Sequence, residues 1–270
     1  MSDSGIADIA GARIAWWAAG HGPALVLINA GVADARMWEA LLPTLTRSHR
    51  VVRYDMRGFG RTRAAAGTFS SARDLGGLLE ALDIAQAHVV GASYGGQVAL
   101  EFAATAPSRV ASLVLLAAGL PDIDPTPPLR AFADAEEKAI EQGRIDDAVE
   151  LNVRMWAGES TPEVRALVAD MQRTAFELQL REGAEEDELD PPVSARLASI
   201  DVPATIAIGD RDVADFARVA ERLVAQLPRA SLQPIAQAGH LMALDQPGAV
   251  AQLILRHLEG LARSRASPAP

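Results

Sequence analysis

Apolar positions fall into two alternating patterns along the chain. Short apolar segments at residues 24–29, 51–54, 89–92, 111–117, 204–208 and 231–235 read as strands, the run at 24–29 being continuous, as in a strand buried on both faces. Between them, apolar residues spaced three and four apart predict amphipathic helices. These cover residues 35–46, with Trp38, Leu41, Leu42 and Leu45 on one side; 70–82, with Leu75, Leu78, Leu79 and Leu82; and 94–105, 216–227 and 248–261. Residues 13–18 make a further strand, set off by the turn Gly20-His21-Gly22-Pro23, and Asp34 is placed to cap the 35–46 helix. Strand and helix in this rhythm predict an α/β chain with a mostly parallel sheet of about eight strands, right-handed crossovers and helices on both faces.

The rhythm breaks between residues 121 and 199. No strand-like run occurs there, only Pro-rich turns and helical segments at 128–142, 145–156, 162–180 and 192–198. The expected organisation is therefore a core at 1–120 and 200–262, an all-helical insertion at 121–199 acting as a lid, and a disordered tail at 263–270.

Charge supports the same division. Of the formal net charge of -10, the 121–199 segment carries 19 Asp+Glu against 8 Lys+Arg, and the remainder is nearly balanced. Such a surface repels phosphate backbones, so nucleic acid is not an expected partner. No apolar run approaches the ~20 residues that cross a bilayer, and no basic-then-apolar leader opens the chain, so the expectation is a cytoplasmic protein without a membrane partner. With 0 cysteines, disulfides, thiolate metal sites and cysteine nucleophiles drop out. No metal-ligand cluster is visible. Gly58-Phe59-Gly60 lacks the third glycine and following helix start of a dinucleotide fingerprint, so no cofactor is implied. Oligomeric state is unmarked.

The chemistry centres on Val89-Val90-Gly91-Ala92-Ser93-Tyr94-Gly95-Gly96, a strand ending in G-x-S-x-G and opening a helix. Such a turn strains the serine backbone and exposes Oγ at the strand end; Gly91 and Gly95 permit the close backbone approach, and Gly96 lets the helix pack near the strand. A serine hydroxyl needs a base, normally histidine, oriented by a carboxylate. His21, His49, His88 and His257 fall in a turn, before strands, or within the last helix. His240 instead follows the last strand in Gln237-Ala238-Gly239-His240-Leu241, on the sheet edge that Ser93 occupies. Gly209-Asp210-Arg211-Asp212 follows another late strand and supplies two carboxylates.

The chain order serine, acid, histidine resembles the α/β-hydrolase fold, and the resemblance covers residues 13–261. It is carried by the elbow at Gly91 to Gly96, a Gly-x-x-Asp turn at Gly209 to Asp212, Gly239-His240, and Asp55-x-Arg57-Gly58-x-Gly60-x-Thr62, where the family usually has serine at the last position. The family pattern selects Asp212 over Asp210 as the acid; a less common arrangement would draw it from Asp122 or Asp124. The oxyanion donors implied are the N–H of Tyr94 and one from Asn29-Ala30-Gly31-Val32, which stands where the family commonly has His-Gly. Gly31 is the expected donor and Val32 the next, with Asn29 bracing the loop. Met155, Trp156, Met171 and Phe176, with Val32, Leu42 and Trp38 nearer the oxyanion loop, are candidates to line an apolar substrate pocket, or to pack lid against core.

What the resemblance implies is a small serine esterase or lactonase: Ser93 as nucleophile, His240 as base, Asp212 as orienter, and a small-molecule ester or lactone as substrate. A serine at the elbow speaks against halide displacement and epoxide opening, which in the family use aspartate there. Carbon–carbon cleavage, lyase or perhydrolase chemistry on the same triad remains an alternative, as does a ligand receptor that kept the fold without catalysis.

Overall fold

The computed structural model describes residues 2–266. The elements run in the order β1 (Ser2–Ile9), β2 (Ala12–Ala19), β3 (Ala24–Ile28), a 3-10 helix (Ala35–Leu41) leading into α1 (Leu42–Leu45), β4 (Arg50–Tyr54), β5 (Arg63–Ala64), β6 (Gly67–Phe69), α2 (Ser71–Ala81), β7 (Ala87–Ala92), α3 (Tyr94–Thr105) and β8 (Val110–Leu116). A helical stretch follows, with α4 (Pro127–Glu141), α5 (Ile145–Ala157) and α6 (Pro162–Glu182). After β9 (Ala184–Glu186) and two 3-10 turns come β10 (Ala204–Gly209), α7 (Ala214–Gln226), β11 (Ala230–Ile235), α8 (Met242–Asp245) and α9 (Pro247–Ala266).

The main sheet has the strand order β1-β2-β4-β3-β7-β8-β10-β11, with β5 pairing β2. β4 through β11 pair parallel, while β1, β2 and β5 are joined by antiparallel ladders. Alternate residues of each central strand feed two separate cores. Val26, Ile28, Val89, Leu113 and Leu115 pack under α2, α3 and α7. Leu25, Leu27, Val90, Val114 and Leu116 face Trp38, Leu41, Val250 and Ile254. This two-sided burial is why those strands read as unbroken apolar runs.

Register decides which loops meet. Ile28 pairs with Gly91, and Ala92 with Leu116, so the Asn29–Val32 loop emerges beside Ser93. Gly209 pairs with Ile235, which brings the loops after β10 and β11 together at the same carboxyl edge. Two further bonds tie those loops: Asp210 N–H to the Ile235 carbonyl at 3.1 Å and Arg211 N–H to that of Ala238 at 3.0 Å.

Four expectations need correction. β1 was not expected, because Ser-Asp-Ser-Gly-Ile-Ala-Asp-Ile at a sheet edge buries only alternate residues and carries no apolar run. The 121–199 stretch is not purely helical: β9 pairs parallel with β6, two three-residue strands whose pairing no periodicity could reveal. Residues 192–198 form the 3-10 turns Val193–Ala195 and Leu197–Ser199 and not one helix. The terminal helix continues through Ala266, so the expected tail is helical over 263–266, and residues 267–270 lie outside the described residues. No helix among the described residues is long and apolar enough to cross a membrane.

Candidate active site

β7 ends at Ala92, and α3 begins at Tyr94, leaving one residue to reverse the chain. That residue is Ser93, with φ 52 and ψ -117, a left-handed conformation that costs a non-glycine residue ~1–3 kcal/mol. The surroundings over-determine it. Ser93 N–H donates to the Leu116 carbonyl at 2.9 Å, and its own carbonyl accepts from Gly96 and Gly119, each at 2.9 Å. Glycine is required on both sides: a Cβ on Gly91 would lie 2.2 Å from the Gly95 carbonyl oxygen, and one on Gly95 would lie 2.4 Å from that of Asn29. The elbow is thus built by backbone packed on backbone.

His240 reaches this serine from the loop after β11. Its Nε2 lies 2.9 Å from Ser93 Oγ, and its Nδ1 lies 3.0 and 3.2 Å from the two Asp212 carboxylate oxygens. A carboxylate only accepts, so Nδ1 carries the proton, and neutral Nε2 is left to accept from the serine hydroxyl. The His240 and Asp212 side chains are 3% and 1% exposed, so this polar line is shielded from water. Asp212 Oδ1 also accepts the Val213 N–H at 2.7 Å.

The other carboxylates do different work. Asp210 accepts the Ala238 N–H at 3.3 Å, and Asp122 accepts from the Ser194 hydroxyl at 2.8 Å with Arg222 3.7 Å away. The Asp124 carbonyl takes Arg218. None of these three is brought to the imidazole.

The Asn29–Val32 loop stands opposite. A Cβ built on Gly31 would touch Tyr94 Cβ at 3.4 Å, so the two backbones run side by side. The N–H groups of Gly31, Val32 and Tyr94 have no acceptor among the described residues. Asn29 braces the loop by donating from Nδ2 to the carbonyls of Ala30 at 3.0 Å and Ala33 at 2.5 Å. Asp34 caps the 3-10 helix through the Arg36 N–H at 2.9 Å, and its own N–H meets the Met171 sulfur at 3.4 Å.

The Asp55-to-Thr62 stretch supports this loop without entering the site. Buried Asp55 accepts the N–H groups of Ala35 at 2.9 Å and Arg61 at 2.6 Å, and burial pushes its carboxyl up to about 6 against those two bonds. Thr62 Oγ1 donates to the Asp55 carbonyl at 2.6 Å and accepts the Ala15 N–H at 3.0 Å; a hydroxyl is what the position needs, and threonine supplies it. Arg57 grips Asp74 with two bonds of 2.6 and 2.9 Å in the interior. The Tyr94 side chain leaves the site to bond Ser71 Oγ at 3.0 Å and Glu186; burial first, then the Glu186 charge, holds its phenol above the usual tyrosine range.

The residues expected to line a pocket divide. Met155 and Trp156 border a cleft of about 190 Å³ together with Asp212, Gly239 and His240. Trp38 is wholly buried in the core, and Met171 and Phe176 join the same core, so packing and not substrate contact accounts for these three. Leu42 opens onto a different cleft beside Trp17 and Arg53. Phe216 was not anticipated. Its ring centroid is 4.1 Å from that of His240, with Trp156 at 4.6 Å. Its position four residues beyond Asp212, at the start of a helix packed on the sheet, was the only available signal. Among the described residues no group of three or more His, Asp or Glu is arranged to hold a metal ion.

A parallel sheet whose carboxyl edge gathers a strained serine, a histidine and an acid in that chain order defines a class of protein. The chain belongs to the alpha/beta hydrolase family, whose model matches residues 25–253. Among similar proteins are the pimeloyl-[acyl-carrier protein] methyl ester esterase of Methylococcus capsulatus, 42% identical over 36% of this chain and 37% of that protein, and the 2-hydroxy-6-oxo-2,4-heptadienoate hydrolase of Pseudomonas putida, 38% identical over 37% of this chain and 38% of that protein. The chain thus matches well under half the length of these curated relatives. A solved hydrolase from Pseudomonas aeruginosa PA01 matches over 95% of this chain and 98% of its own, with 27% identity and a TM-score of 0.78.

Proposed function

We propose that the protein is a serine hydrolase acting on a small carboxylic ester or lactone through an acyl-enzyme. The observation that carries this reading is the bonded line Ser93 Oγ, His240 Nε2, His240 Nδ1 and Asp212, with spacings of 2.9 and 3.0 Å, ending on a serine at φ 52. His240 Nε2 takes the hydroxyl proton as Oγ attacks the acyl carbon, and Asp212 stabilises the imidazolium that forms. The negative charge that develops on the carbonyl oxygen is received by the N–H groups of Gly31 and Tyr94, each such donor contributing ~3 kcal/mol in the transition state. Collapse expels the alcohol, which leaves with the proton from His240. Water, activated in turn by His240, then frees the acid. Val32 and Met155 border the substrate, and the 121–199 segment covers it as a lid.

Turnover of p-nitrophenyl acetate and butyrate, compared between wild type and Ser93→Ala, tests this. We expect a loss of at least about 10³-fold in the variant, with a fluorophosphonate label mapping to Ser93 in wild type. No label and no turnover would sink the reading. The relative named for an oxo-dienoate substrate supports a second one, in which the same triad cleaves a carbon–carbon bond next to a ketone. Labelling of Ser93 with negligible ester turnover, but consumption of such a dienoate, would favour it.

A further inference from the structure

His240 lies in the loop after β11, and side chains from other elements surround its ring. Beyond Ser93 and Asp212, the imidazole is held by two aromatic rings that also touch each other: Phe216 from α7 and Trp156 from α5, their centroids 5.8 Å apart. Phe216 belongs to the sheet-bound core, whereas Trp156 is delivered by the helical 121–199 segment.

Trp156 is itself aimed. Its Nε1–H donates to Asn152 Oδ1 at 3.1 Å, one turn earlier on α5, and the Phe132 ring from α4 meets it edge-on at 5.3 Å. Asn152 is buried beside Ala148, Val149 and Val153, where leucine would pack well, and a buried amide is tolerated only if its hydrogen bonds are made. They are. Its Nδ2 donates to the Ala148 carbonyl at 2.9 Å and to the Glu136 carboxylate of α4. The amide is therefore spanned between two helices, leaving its oxygen to orient the indole.

The end of α5 is also latched to both triad loops. Ser160 Oγ donates to Asp245 at 2.6 Å, and the other Asp245 oxygen accepts the Gly239 N–H at 3.0 Å; Glu159 lies 3.5 Å from Arg211. Movement of this end of the helix would break these contacts to the loops that carry Asp212 and His240.

We infer that Trp156, aimed by Asn152, is a positioning residue for His240, so that the helical segment forms part of the proton-transfer apparatus and not only a cover over it. This rests on the hydrolase reading. The indole limits the swing of the imidazole between Ser93 and the leaving oxygen, and offers a π-face to the imidazolium formed during acylation. A residue acting this way moves the chemical step, whereas a substrate wall moves binding.

The test compares full-length wild type with Trp156→Leu, Trp156→Phe and Asn152→Leu on p-nitrophenyl butyrate. Trp156→Leu should lower kcat about tenfold with KM within about twofold, Asn152→Leu should lower kcat with KM equally unmoved, and Trp156→Phe should recover most of the loss. A raised KM with kcat preserved overturns the proposal and makes Trp156 a substrate wall. A second readout needs no substrate. The emission of Trp156, isolated as the difference between each protein and the same protein carrying Trp156→Phe, should rise in His240→Gln, because an imidazole touching an indole quenches it, and should change in Asn152→Leu. Emission blind to both overturns the proposal. Absence of ester turnover in wild type would count against the hydrolase reading, and the emission would then decide whether Trp156 holds His240.

Discussion

The two halves of the candidate site are held by different means. On the serine side, Ser93 is fixed by main-chain contacts: β7 and α3 pack so closely that Gly91 and Gly95 have no space for a methyl group, and carbonyls and N–H groups of β8 and the 119 loop lock the turn. On the histidine side, His240 sits in a loop and is held by side chains from elements far apart in sequence, namely Asp212, Phe216 and Trp156, while nearby Asp245 bonds the adjoining Gly239 N–H. A main-chain site tolerates almost no substitution at its glycines but needs few partners. A side-chain site can be retuned one residue at a time, and the 121–199 segment is placed to do so.

The comparison can be broken most severely at the elbow. Gly95→Ala sets a methyl 2.4 Å from the Asn29 carbonyl oxygen, so it should displace the oxyanion loop as well as the serine. We expect about 4 kcal/mol or more of destabilisation in urea unfolding, with turnover lost even in folded protein. A tolerated alanine would show that the main chain yields more than the packing implies.

On the histidine side, an equally complete loss of activity should leave stability nearly intact. Asp212→Asn should lower kcat/KM about 10⁴-fold, since asparagine stabilises the wrong imidazole tautomer, while Asp210→Asn should cost only a few-fold. Steady-state kinetics on the two variants checks this directly. Equal losses would mean that the acid has been misassigned.

A pH titration of stability sharpens the contrast on the oxyanion side. Burial raises the Asp55 carboxyl from 3.8 to about 6 in the folded chain, so between those values the folded state binds the extra proton. Its stabilising contribution is present below about pH 4 and is lost as pH rises through about 6, a swing on the order of 2–3 kcal/mol. Tm measured from pH 4 to 7 should therefore contain a component that falls with pH. Asp55→Asn, though destabilised by a lost acceptor, should lack that component.

The smallest effect has the opposite sign. Ser93→Gly removes the left-handed strain while keeping the turn, so it should raise stability by about 1 kcal/mol while abolishing turnover. An unchanged or lower Tm would indicate that the serine side chain stabilises the elbow more than its backbone strains it.

The central parallel strands and the elbow were legible because their physics is local. Strands buried on both faces must be apolar throughout, and a turn with φ 52 at serine must be flanked by glycine, so both leave marks within a few residues. The two bonded partners of the serine were legible more faintly, as a carboxylate pair after β10 and a histidine after β11. The Gly-x-x-Asp pattern of the resemblance pointed to Asp212 over Asp210, and in the structure Asp210 is turned to the Ala238 N–H and Asp212 to the imidazole. Trp38 shows the limit in the other direction. Helical spacing marked one apolar face, and only packing revealed that it faces core and not substrate.

By itself, the sequence determined the α/β layering, the acidic helical segment, the strained serine and the short set of groups that could serve it, because each depends on neighbours along the chain. Tertiary structure alone decided the edge strand β1, the β6–β9 pairing, and the enclosure of His240 by Phe216 and by Trp156 with its Asn152 brace. Apart from the β1–β2 hairpin and the Asn152–Trp156 pair, which lie close along the chain, those contacts join residues tens of positions apart through side-chain shape and short ladders, which leave no local pattern to read.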